Sequence, residues 1–81
     1  MYRILLADDE GIAIDSLTYI IEKTYGDKCE IRSARTGRSA IEIAENFRPD
    51  IAVMDIQMPG INGIEAIREI RKFSPTTVYI V

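Results

Sequence analysis

Ile51-Ala52-Val53-Met54-Asp55 is a run of four apolar residues closed by a carboxylate. A short unbroken apolar run marks a strand covered on both faces, because a strand with one wet face alternates apolar and polar residues instead. Two similar runs lie elsewhere in the chain, Ile4 to Ala7 and Val78 to Val81. A fourth, formed by Cys29 and Ile31 with their neighbours, alternates as an edge strand does. Strands buried on both faces require helices above and below them, which is the arrangement of a parallel sheet.

The segments between these runs supply the helices. Apolar residues recur at helical spacing at Ile12, Ala13, Leu17, Ile20 and Ile21, at Ala40, Ile41, Ala44 and Phe47, and at Ile64, Ile67 and Ile70. This spacing assigns Ile12, Leu17, Ile20 and Ile21 to the core and leaves Ile14 off the main stripe. Gly26 can end the first helix, Thr36 can cap the second, Arg48-Pro49 stops the second, and Phe73-Ser74-Pro75 stops the third. The order is β-α-β-α-β-α-β across residues 1–81 as one domain, an α/β doubly wound parallel sheet with right-handed crossovers. Its fourth strand is expected to lack a covering helix and a further strand on its outer edge.

The chain has 81 residues with a formal net charge of −3 and no run of basic residues, which argues against nucleic acid as a direct partner. The single cysteine, Cys29, cannot form an internal disulfide, and the absence of histidine leaves no Cys/His set for zinc. A reducing, cytoplasmic location is the expectation. No apolar run approaches the roughly 20 residues of a membrane span, and the first residues do not read as a signal peptide.

Open α/β sheets bind ligands beyond the carboxyl ends of their strands, and in this chain those ends are acidic. The first strand runs into Asp8-Asp9-Glu10 and the third into Asp55. If the two strands are neighbours, the carboxylates meet in one crevice and repel each other without a cation. Oxygen ligands alone favour a hard ion, Mg²⁺, Mn²⁺ or Ca²⁺. The competing explanation is helix capping, which could account for one carboxylate but not for Asp55 at the end of a buried strand.

Ile4-Leu5-Leu6-Ala7-Asp8-Asp9-Glu10, then Asp50-Ile51-Ala52-Val53-Met54-Asp55-Ile56-Gln57-Met58-Pro59-Gly60, then Asn62-Gly63, resembles the receiver domain of two-component response regulators. The resemblance covers the first four strands and three helices of that family's flavodoxin-like fold of five strands and five helices. It implies that Asp55 accepts a phosphoryl group from a phosphohistidine on a sensor histidine kinase. It also implies that Asp8, Asp9, Asp55 and the backbone carbonyl of Gln57 hold Mg²⁺, with Mn²⁺ as a substitute, and that the Gln57 side chain modulates hydrolysis of the acyl phosphate. Met58-Pro59-Gly60 and Gly63 are given structural roles in the loop. The family's first helix meets the kinase, which makes Ile14 a contact candidate against the simpler reading of an ordinary exposed isoleucine. Arg68, Glu69, Arg71 and Lys72 read as a solvated face.

The family's hydroxyl residue after strand four, its lysine after strand five and its aromatic switch residue are expected beyond Val81, so that phosphorylation would proceed with impaired switching. The domain is then a phosphoacceptor and not an enzyme. A non-switching interaction module is one alternative. Another is a Mg²⁺-dependent phosphatase of the haloacid dehalogenase type, disfavoured because its second aspartate would fall at Gln57. The strand-four edge is expected to drive self-association.

Overall fold

The computed structural model describes residues 1–81. The elements are β1 (Tyr2–Ala7), α1 (Gly11–Tyr25), a 3-10 turn (Gly26–Lys28), β2 (Cys29–Ala34), α2 (Gly37–Phe47), β3 (Ile51–Met54), α3 (Gly63–Phe73) and β4 (Val78–Ile80). All pairings are parallel in the order β2-β1-β3-β4, the order that the resemblance implies, with β2 at an edge as its alternation predicts.

Side chains alternate across the sheet, so β1 feeds two layers. Leu5 and Ala7 join Ala52 and Met54 of β3 under α2 and α3, which contribute Ala40, Ala44, Ala66 and Ile70 to one buried cluster. Three of these four helix residues are alanines, and small side chains let the helices lie close to the sheet. On the opposite face, Ile4 and Leu6 of β1 and Ile14 of α1 are buried. Thr36 caps α2 and Gly26 ends α1 as the sequence punctuation predicts, and Asn62 adds a cap to α3. Thr36 Oγ1 accepts the Ser39 N–H at 3.1 Å, Asn62 Oδ1 accepts the Glu65 N–H at 2.9 Å, and Gly26 ends α1 at φ 60°.

Two helix faces differ from the spacing-based expectation. Ile14 is 6% exposed and is the buried residue of α1, whereas Ile12 is 82% and Ile20 57% exposed. The face against the sheet is Ile14, Leu17, Thr18 and Ile21, an i, i+3, i+4, i+7 stripe. Because α1 carries isoleucines on two faces, period alone does not select between them; the sheet does. Ile14 is thus a core residue and not an exposed contact. In α3 the buried stripe is Gly63, Ala66 and Ile70, and Ile64 lies outside it, exposed. On β4, Val78 and Ile80 are exposed, the bare face expected of the fourth strand. No helix is long and apolar enough to cross a membrane.

Candidate functional site

Ala7 pairs with Met54 at the carboxyl ends of β1 and β3, so the residues that follow leave the sheet side by side. Two further hydrogen bonds fix them there. The Asp55 N–H donates to the Ala7 carbonyl at 2.9 Å, and the Asp8 N–H donates to the Ala34 carbonyl at 3.0 Å. Carboxylate oxygens of Asp8, Asp9 and Asp55 consequently lie within 4.8 Å of one another. Unit charges at that separation repel by roughly 1 to 3 kcal/mol per pair as the effective dielectric falls from about 80 to about 20.

Backbone donors hold two of the three carboxylates in place. Asp8 Oδ1 accepts the Glu10 N–H at 2.9 Å, and Asp55 Oδ1 accepts the Gln57 N–H at 3.1 Å. Both are local turns that aim the carboxylate and leave its second oxygen free of protein partners. Helix capping does not account for the cluster. The N-cap of α1 is Glu10, its side chain makes no capping bond, and the bond from Asp8 goes to Glu10 itself and not into the first turn. An all-oxygen donor set at this spacing fits a hard divalent cation.

The loop after Asp55 is folded back by particular residues. Met58 is buried in the α2–α3 layer and anchors it. Gly60 adopts φ 75°, where a side chain would be strained. At Gly63 a Cβ would run into the Asp55 carbonyl and come within 2.9 Å of Ile56 Cα, so α3 can start against the back of the acidic strand end only with glycine there. Gln57 is exposed at the rim, tied to Asp55 through its backbone N–H.

A cleft of about 330 Å³ opens beside the acids, lined by Asp8, Glu10 and Asp55 together with apolar residues that include Ile14, Val53 and Val81. A larger groove of about 590 Å³ lies along the β2 edge and α2, away from the cluster. Both of its arginines are already committed: Arg3 Nη1 donates to the Phe47 carbonyl at 3.0 Å, and Arg32 pairs with Glu30 at 2.6 Å and lies over the Phe47 ring at 5.2 Å. Cys29 starts β2 at the opposite end of the sheet from the acids, and Arg68, Glu69, Arg71 and Lys72 are exposed on α3. Sequence reasoning passed over Arg35, whose side chain reaches the carbonyl of Asp9. Its position directly after the β2 apolar run was the available signal.

Residues 4–81 match the response regulator receiver domain family. The chemotaxis protein CheY of Thermotoga maritima is 40% identical over 79 residues, covering 98% of this chain and 64% of that protein. A CheY-like receiver domain from Methanospirillum hungatei superposes with a TM-score of 0.88 at 28% identity, over 98% of this chain and 61% of that one. The CheX–CheY–BeF3–Mg²⁺ complex from Borrelia burgdorferi gives a TM-score of 0.83 at 26% identity, over 96% of this chain and 58% of that one. The chain spans only part of its curated relatives' length, in the case of the uncharacterized transcriptional regulatory protein YesN of Bacillus subtilis 22%.

Proposed function

The chain belongs to the response regulator receiver domain family, and on that footing we propose that Asp55 takes a phosphoryl group from a phosphohistidine of a partner histidine kinase, with Asp8, Asp9, Asp55 and the Gln57 carbonyl holding Mg²⁺. The observation that carries this reading is the convergence of three carboxylates within 4.8 Å at adjacent strand ends, an arrangement that capping does not explain. The Mg²⁺-containing CheY complex of Borrelia burgdorferi supports the choice of ion.

In the transfer, an Asp55 carboxylate oxygen attacks phosphorus, a P–O bond forms, the P–N bond to the kinase imidazole breaks, and the imidazole leaves with the bond's electron pair. The Gln57 N–H on Asp55 Oδ1 orients the carboxylate so that its free oxygen is the nucleophile. Bound Mg²⁺ would offset the charge that otherwise keeps a phosphoryl group away from three acids. The exposed Gln57 side chain, two residues after Asp55, would influence how readily water attacks the acyl phosphate. The role is that of a phosphoacceptor and not of a turnover enzyme, because no second acid stands two residues after Asp55 to protonate a leaving group. Incubation with a small acyl phosphate donor tests this. Mg²⁺-dependent addition of one phosphate to the wild type and none to Asp55→Asn is expected; equal labelling of the variant overturns the assignment.

A further inference from the structure

We propose that Arg35 is a positioning residue that brings Asp9 into the acidic cluster, a role that rests on the cation-binding reading above. Ala34 closes β2, and its carbonyl receives the Asp8 N–H at 3.0 Å. The side chain of the next residue crosses the same gap. Arg35 Nε and Nη2 both donate to the Asp9 carbonyl, at 3.0 and 2.7 Å. Two successive residues at the end of the edge strand thereby grip two successive residues of the acidic loop.

The three acids are not held equally. Asp8 and Asp55 each have a backbone N–H bonded to a neighbouring strand and a carboxylate oxygen bonded within a local turn. Asp9 has neither, and the Arg35 guanidinium is its one hydrogen-bonded tie to the rest of the fold. The planar fork of arginine suits this task, since adjacent N–H groups can share one carbonyl oxygen, which a lysine ammonium does less well.

The guanidinium is placed as a clamp and not as a counterion. Its bonds go to a backbone oxygen, and the ion pairs of the chain are Arg32–Glu30 and Lys72–Glu69. It also lies over the start of α1, where a cation is disfavoured by the helix dipole. Gly11, the first residue of α1, makes room for it, because a Cβ there would approach Arg35 Nη1 to 3.0 Å. That contact gives a second handle on the same interaction.

Clamp and charge predict opposite results. Removing a positive charge beside three carboxylates should tighten cation binding, whereas releasing Asp9 should weaken it. The experiment is a Mn²⁺ titration of the wild type, Arg35→Ala, Arg35→Lys, Gly11→Ala, the Gly11→Ala/Arg35→Ala double variant and Asp55→Asn, with thermal midpoints taken in chelator to confirm folding. Arg35→Ala should weaken Mn²⁺ binding about tenfold, at the lower end of what loss of an outer-shell partner costs, with partial recovery in Arg35→Lys. Gly11→Ala should weaken binding when Arg35 is present and have no effect when it is absent. Unchanged or tighter binding in Arg35→Ala, with Asp55→Asn weakened, overturns the Arg35 role alone. Undiminished binding in Asp55→Asn overturns the cation site and the Arg35 proposal with it.

Discussion

The Asp55 N–H donates to the Ala7 carbonyl at 2.9 Å, one hydrogen bond past the last ladder pair of β1 and β3. That bond extends the parallel register by one step and sets the start of the acidic loop beside Asp55. The carboxylate cluster is thus a product of sheet order. A strand inserted between β1 and β3 would separate the acids by about 5 Å more.

The first prediction concerns the core. Ile14→Ala should cost about 2–4 kcal/mol by removing a buried side chain between α1 and β1, while Ile12→Ala, at an exposed position, should cost less than about 0.5 kcal/mol. Urea denaturation of both variants gives the comparison, and equal losses would contradict the assigned face of α1.

The fold was largely legible in the sequence because its signals were of different kinds that agreed: apolar runs for β1 and β3, alternation for β2, and Thr36 and Gly26 at helix ends. Asp8, Asp9 and Asp55 were legible for the same reason, since strand ends are where carboxylates can meet. The phase of α1 was not. Ile12, Ile14, Ile20 and Ile21 are chemically alike, and only the position of β1 decides which are covered. Arg35 was hidden because its partner is a backbone carbonyl, and a side chain that binds backbone leaves no complementary residue type to find.

Gly63→Ala should disturb the site from behind, because the added methyl group meets the Asp55 carbonyl and Ile56. A loss of about 1–3 kcal/mol is expected, together with weaker Mn²⁺ binding as the Asp55 peptide is displaced. Gly60→Ala, strained by its φ of 75° but with open space around it, should lower stability and leave the cation affinity near that of the wild type.

Burial pushes the Tyr79 phenol above its ordinary value of 10.0, an effect only partly countered by the charge of Arg71. Its hydroxyl is shielded without a hydrogen-bond partner, since Thr77 Oγ1 is committed to the Pro49 carbonyl and to Ser74 Oγ, both at 2.6 Å. The folded state thus holds the phenolic proton more tightly than the unfolded chain. This stability is fully present below about pH 10 and is lost as pH rises through the folded-state value. Thermal midpoints should fall more steeply above that pH in the wild type than in Tyr79→Phe, and parallel profiles would contradict the burial of this hydroxyl.

Cation binding should also appear as stability, because an ion that binds only the folded chain shifts unfolding by mass action. Saturating Mg²⁺ should raise the thermal midpoint of the wild type and leave that of Asp8→Asn/Asp9→Asn unchanged. In the absence of the ion the double variant should be the more stable of the two, since it removes carboxylate repulsion. A less stable double variant in chelator would mean that the acids serve the fold and not a ligand.

The most direct test of the central claim is chemical trapping of the phosphorylated residue. After treatment with a phosphodonor and Mg²⁺, borohydride reduces an aspartyl phosphate to homoserine, which peptide mass spectrometry locates by position. The account predicts homoserine at position 55 alone, dependent on Mg²⁺ and lost in Asp55→Asn. Homoserine at position 8 or 9, or phosphate retained on a serine or threonine with position 55 intact, would contradict it.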